Sequence, residues 1–267
     1  MMNITLVGAG NLATNLAKAL FKAGHNIVQV YSRTAGSAKK LAAVVDAEPV
    51  NDVHGINSAA DVYIIAVKDS VISSLLPDLC HGKDGKLFLH TAGSMGMDVF
   101  KGITSRYGVL YPMQTFSKAR EVDFKDIPCF IEGCDDSVTA MASELASTVS
   151  TNVRILSSAD RRTLHLAAVF ASNFTNHCYA ISSEILSRCG LPFSVMLPLV
   201  DEVTAKVHAM SPIDAQTGPA VRYDINVINR QANMLASDLL FKDIYESMSR
   251  SIHAMAQQKK EEKHDKL

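Results

Sequence analysis

The segment ITLVGAGNLATNLAKAL, residues 4–20, constrains the fold more than any other part of the chain. An apolar run that reads as a strand meets Gly8-x-Gly10-x-x-Ala13 and passes at once into a helical pattern closed by Gly24. In a strand–turn–helix each small residue has a task. Gly8 permits the tight turn, and Gly10 lets backbone N–H groups approach a pyrophosphate. Ala13 is small enough for close packing of helix on strand. Ala9, Asn11 and Leu12 complete the loop and the first helical turn, whose unpaired N–H groups and dipole favour an anion. In isolation the pattern is only a tight turn; at the head of a βαβ series it is a nucleotide-binding signal.

That series is present. Strands are expected at NITLVG, NIVQVYS, DVYIIAV, KLFLHTA, YGVLYP, CFIE and NVRIL, the last ending at Leu156. Helices are expected at 11–24, 35–46, 69–80 and 136–150, the last behind an Asp/Ser start. Strands alternating with helices predict an α/β, Rossmann-type doubly wound parallel sheet over residues 1–156. After Leu156 no strand-like alternation appears, so residues 157–267 read as an all-α domain. Residues 157–190 hold no Pro and no internal Gly, which predicts one helix of about 48 Å. Pro192 opens a further helix, kinked near Pro198. Residues 211–220 read as a loop, and helices follow over 219–236 and 238–258.

The end of the second strand, VQVYSRTAG, narrows the ligand. An Asp or Glu there would accept hydrogen bonds from ribose hydroxyls and repel a 2′-phosphate. Ser32, Arg33 and Thr34 reverse that preference, because a guanidinium and two hydroxyls make charge-assisted and neutral bonds to phosphate. Lys39 and Lys40, one turn into the next helix, add positive potential. The cofactor expected is therefore NADP(H). In an open parallel sheet the ligand lies beyond the carboxyl ends of the strands. Ala66, Val67 and Lys68 after one core strand, and His90, Thr91 and Ala92 after the next, are thus expected to border it.

Totals exclude several classes. A formal charge of −1 over 267 residues gives no electrostatic reason to expect nucleic acid or an anionic membrane. No apolar run approaches the ~18 residues of a membrane span. The five cysteines form no CxxC and no zinc-type spacing, so reduced thiols in the cytoplasm are expected, and no metal. GxSxG and HExxH are absent, which leaves hydrolase chemistry unsupported.

GAGNLA, YSRT, AVKD, HTAGS and YPMQTF, followed by a very long helix, resemble a superfamily of NAD(P)-dependent enzymes. It holds the pyrroline-5-carboxylate reductases, the 6-phosphogluconate and β-hydroxyacid dehydrogenases and the deazaflavin-dependent NADP reductases. HLAAVFASNFTNHCYAISSEIL and TGPAVRYD resemble the helical C-terminal domain of a family of NADP oxidoreductases. The resemblance implies an active site between the two domains and a homodimer formed through the helical half. The chain departs from the β-hydroxyacid dehydrogenases, which carry a Lys on the long helix: no Lys occurs here between Lys125 and Lys206. It also lacks the Ser-Gly-rich stretch of the pyrroline-5-carboxylate reductases. Neither reaction transfers by analogy alone.

Hydride transfer to C=O or C=N needs a held nicotinamide and a donor for the developing charge. On the long helix, at about 100° per residue, Ser172 and Asn176 flank the direction of His165, with Val169 near the stripe and Asn173 on its flank. His165 is the candidate acid, since imidazole is the side chain that ordinarily titrates near neutrality. Ser172 and Asn173 are candidates to orient the substrate, with Asn176 as a further contact. Arg222, at a helix opened by Pro219, is a candidate to hold a substrate carboxylate. Pro112, Met113 and Gln114 of YPMQ are expected to floor the pocket. The expectation is an NADP(H)-dependent oxidoreductase of a small carbonyl or imine. The alternative is a sensor or interaction protein that binds the cofactor without turnover.

Overall fold

The computed structural model describes residues 1–264. Eight strands form one sheet: β1 (Asn3–Val7), β2 (Asn26–Tyr31), β3 (Glu48–Val50), β4 (Val62–Ile65), β5 (Leu87–His90), β6 (Tyr107–Pro112), β7 (Cys129–Gly133) and β8 (Val153–Ile155). Their order is β3-β2-β1-β4-β5-β6-β7-β8. The first six follow the Rossmann order, with the reversal between β1 and β4. Every pair is parallel except β6 with β7, which is antiparallel.

Burial explains why these runs are strands. All of VYII in β4 and LFLH in β5 is buried, as expected where helices cover both faces of a parallel sheet. Side chains alternate between two cores. Val62, Ile64, Leu87 and Leu89 join Leu16 and Leu20 of α1 (Asn11–Lys22) and Leu145 of α4 (Asp136–Ser147). Tyr63, Ile65 and Phe88 join Ile72 and Leu76 of α3 (Asp69–Cys80) on the other face. The helix α2 (Ala35–Ala42) leads to β3, a three-residue strand at the sheet edge that sequence patterning did not predict. Pro49 explains both its shortness and its edge position, since proline cannot complete a central ladder.

The stretch read from sequence as one α-helix is three segments. Ser158–Ala168 is α-helical (α5), Val169–Phe174 is π-helical, and Thr175–Ser187 is α-helical again (α6). Two compact units divide between Phe174 and Thr175, so α5 and the π-helical turns fold with the sheet although its last strand ends at Ile155.

The second unit continues with α7 (Leu197–Ala209), α8 (Pro212–Ala215), α9 (Pro219–Arg222), α10 (Ile225–Met234) and α11 (Leu239–His264). The expected loop over 211–220 contains α8, whose start is capped by Ser211 accepting from the Asp214 N–H. The expected helix over 219–236 is broken. Tyr223 adopts the left-handed conformation (φ 53°, ψ 47°), and the Asp224 carboxylate then caps α10 by accepting from the Val227 N–H.

Candidate active site

At the β1/β4 switch point a pocket of 230 Å³ is lined by Gly8, Ala9, Gly10, Ser32, Arg33, Thr34, Ala66, Val67 and Lys68. Residues distant in sequence thus meet where strand order reverses, as the sequence predicts for them. Gly8 has φ +129°, and a Cβ there would stand 2.3 Å from the Ala66 carbonyl oxygen, so no other residue lets β1 turn this close to β4. Gly10 caps α1 with no side-chain bond, and no acidic residue occupies the first turn. The N–H groups there face an approach free of competing carboxylates. Asn11 is exposed at that turn, Leu12 is half-buried, and Ala13 is wholly buried against the sheet. Arg33 is exposed, and Thr34, the N-cap of α2, donates its backbone N–H to the Ser32 hydroxyl at 3.3 Å. The pocket therefore presents cations, hydroxyls and amides, and no carboxylate lines it.

Next along the same edge, β5 ends in His90, Thr91 and Ala92, all buried. His90 accepts from the Ala92 N–H on Nδ1 at 3.1 Å, so its proton is on Nε2, which donates to the Gly96 carbonyl at 3.3 Å. Burial and then the Arg161 charge push its pKa down to about 4. This imidazole is neutral and committed to shaping the loop; only its backbone is available to border a ligand. Thr91 likewise spends its hydroxyl on the Ile65 carbonyl.

A second pocket, of 540 Å³, lies at the end of β6. Tyr111, Met113, Gln114 and Thr115 supply one wall, and Leu164, His165, Ala168, Val169, Ser172 and Asn173 the other. Because β6 runs parallel to β5, and β5 to β4, this pocket opens on the same carboxyl edge as the first. The helical wheel set Asn173 on the flank; the structure puts it in the lining beside Ser172. The π-helical turns over 169–174 explain the correction: i→i+5 bonding packs more residues into each turn and rotates the following side chains away from α-helical register. Pro112 is buried at the end of β6 behind this wall. Asn176 and Arg222 belong to the second unit, where both are exposed.

Three contacts were not foreseen from the sequence, although Tyr111 and Gly93 lie in segments it singled out. Tyr111, buried, places its hydroxyl 3.0 Å from His165 Nδ1. Gly93 makes room for both rings: a Cβ there would stand 2.5 Å from His165 Nδ1 and 2.8 Å from Tyr111 Cζ. Arg161, entirely buried, donates to Glu132 at 2.5 Å and to the Met95 carbonyl at 2.6 Å. Glu132 also accepts from the Ser158 N–H at 2.8 Å and hydroxyl at 2.6 Å. Burial alone would raise the pKa of Glu132, but the bonds from Ser158 and Arg161 outweigh it and hold the carboxyl below its ordinary value. This cluster fastens α5 to β7 and so fixes the helix that carries His165. The available signal was the spacing: Arg161 and His165 are four residues apart and share a helix face.

The comparisons with known proteins agree with this architecture. Residues 1–114 match a Rossmann-like domain, and residues 127–252 match a domain of unknown function, DUF2520. A Bacteroides fragilis structure described as a "putative NADP oxidoreductase" is 53% identical, with TM-score 0.92 over 95% of this chain and 98% of that one. A pyrroline-5-carboxylate reductase from Streptococcus pyogenes has TM-score 0.63 at 14% identity, over 94% of this chain and 98% of that one. A reductive aminase from Aspergillus terreus, in complex with NADPH and ethyl-5-oxohexanoate, has TM-score 0.69 at 16% identity over 94% of each chain. The last two likenesses are of fold. No curated protein matches the sequence.

Proposed function

Since the chain belongs to the family of the Bacteroides fragilis protein, in which a Rossmann-like domain precedes DUF2520, we propose that it is an NADP(H)-dependent oxidoreductase of a small carbonyl or imine compound. One observation carries this reading: Gly8, Gly10, Ser32, Arg33, Thr34 and Lys68 line a single pocket at the sheet's switch point, without a carboxylate. That donor set fits a phosphorylated dinucleotide. Arg33, Ser32 and Thr34 would hold the 2′-phosphate, and Gly10 with the first turn of α1 the pyrophosphate.

When bound, the nicotinamide supplies or receives the hydride. The remaining work falls to the second pocket. His165 gives a proton to the substrate's oxygen or nitrogen in reduction and takes it back in oxidation. Ser172 and Asn173 orient the polar atom, with Gln114 opposite. Met113, Leu164, Ala168 and Val169 exclude water from the reacting centre.

NADPH oxidation over a panel of keto acids, neutral ketones and cyclic imines tests the reading. Turnover that falls at least roughly a hundredfold in His165→Ala supports it. NADPH binding with no turnover on any panel member points instead to a sensor that keeps the cofactor and performs no chemistry.

We also infer a homodimer through the second unit. On α7, Leu199, Val203 and Val207 are exposed at four-residue spacing and form one apolar stripe. Leu239 and Leu240 on α11 are exposed too. Exposed apolar surface of this kind marks an interface. Five free cysteines support a reducing, cytoplasmic setting. No described helix is long and apolar enough to cross a membrane.

A further inference from the structure

We propose that Tyr111 is the positioning residue for His165, its hydroxyl keeping Nδ1 engaged and Nε2 turned to the substrate throughout the proton cycle. The proposal rests on His165 being the proton carrier of the site. It deepens that reading by naming what holds the imidazole in its working orientation.

The geometry begins with the end of β6. Tyr111 is the residue before Pro112, on the strand face where Val109 and Phe130 pack against it. Its ring lies 6.4 Å from Phe130, centroid to centroid, and meets the His165 ring edge-on at 5.9 Å and 73°. The hydroxyl reaches Nδ1 at 3.0 Å, an ordinary hydrogen-bond length. Among the described residues Nε2 of His165 has no hydrogen-bond partner, and His165 lines the pocket. One ring nitrogen is therefore tied to the protein, and the other is left for a ligand.

A phenol suits this task better than a carboxylate, which would favour the charged ring and resist its losing the proton. A phenol oxygen accepts from Nδ1–H without adding a charge. When the ring is charged, Nδ1–H donates to the phenol oxygen, and Nε2–H faces the pocket. Once Nε2 has given its proton to the substrate in reduction, the neutral ring keeps Nδ1–H on the phenol oxygen, and bare Nε2 is ready to take the proton back in oxidation. The transferable proton thus leaves from and returns to Nε2, and the ring need not turn between the two states. Burial pushes the Tyr111 pKa up, which keeps the hydroxyl protonated and uncharged.

Gly93 is the second half of the device. It follows the β5 end at His90-Thr91-Ala92, and any side chain at 93 would occupy the space of both rings. The buried Arg161–Glu132 pair secures α5 one turn earlier, so the imidazole is held from its backbone as well as from its edge.

The test is ¹⁵N NMR of the His165 ring in the purified full-length protein, compared with Tyr111→Phe and with Gly93→Ala. Tyr111→Phe keeps the aromatic packing and removes only the oxygen; Gly93→Ala keeps the oxygen and displaces the ring. The wild type is expected to show the Nδ1–H tautomer when neutral. Both variants are expected to show a mixture, and in turnover Tyr111→Phe loses roughly tenfold in kcat with KM within about twofold, less than His165→Ala loses. A wild-type Nε2–H tautomer, or variants whose ring signals match the wild type, overturns the pairing. A wild type without turnover sinks the hydride-transfer reading instead. The NMR result then still decides whether Tyr111 sets the tautomer.

Discussion

The two compact units answer the same physical requirement in opposite ways. In the first, every residue of β4 and β5 is buried, and helices close both faces of the sheet. Buried His90, Thr91 and the Arg161–Glu132 pair each make hydrogen bonds within it. In the second, none of α7 is buried, and Leu199 is 60% exposed. That exposed apolar stripe is the ground for the proposed homodimer. The contrast separates the two proposals: the site proposed for chemistry lies on the sealed unit's carboxyl edge, and the surface proposed for a second copy lies on the open unit.

The largest expected effect attacks the sealing itself. Glu132→Ala leaves Arg161 buried without its counter-charge, which destabilises by about 3–5 kcal/mol. Urea unfolding reads this directly. A loss below about 1 kcal/mol would mean that the pair does not anchor α5 and that the two units are less different than described.

Acid sharpens the same contrast. His90 has a folded-state pKa of about 4 against an ordinary 6.5, because burial and Arg161 disfavour its charged form. The unfolded chain therefore binds the proton more readily. His90's contribution is fully present above pH 6.5 and is lost as pH falls through 4, on the order of 3 kcal/mol in all. Stability measured from pH 7 to pH 4 should fall steadily across that window, and His90→Asn should flatten the slope. A profile level down to pH 4 contradicts the buried, neutral assignment.

A smaller effect probes the open unit. Val203→Glu places a charge in the middle of the α7 stripe and should raise the dimer dissociation constant at least roughly tenfold, about 1.4 kcal/mol. Light scattering at micromolar concentration reads the mass. NADPH affinity should stay within about twofold, since the nucleotide pocket belongs to the other unit. A wild type that is already monomeric removes the reason given for the exposed stripe.

How much of this was legible in the sequence follows from the range of the forces involved. That Gly8, Gly10 and Ser32-Arg33-Thr34 would come together was legible, because local backbone geometry and strand ends set where they lie, and they line one pocket. The α3 helix was read to its terminal residues at Asp69 and Cys80, since alternating buried runs frame it. The second pocket was read only in part. Of the candidates, Met113, Gln114, His165, Ser172 and Asn173 line it, although a wheel of fixed pitch set Asn173 on the flank and could not anticipate the π-helical turns. Only the fold sets Glu132 of β7 beside Arg161 of α5. Tyr111 belongs to β6 and Gly93 to the loop after β5, and their meeting with His165 depends on three-dimensional packing. The helix break at Tyr223 was hidden as well, since a left-handed tyrosine has no local signature.

Isothermal titration of the purified protein with NADPH and with NADH, repeated on Arg33→Ala, tests the central claim most directly. The account predicts that NADPH binds the wild type at least roughly tenfold tighter. It also predicts that Arg33→Ala weakens NADPH roughly ten- to a hundredfold, the value of a charge-assisted bond to phosphate, while NADH changes little. Equal affinities for the two dinucleotides, or an Arg33→Ala protein that binds NADPH as the wild type does, would contradict it.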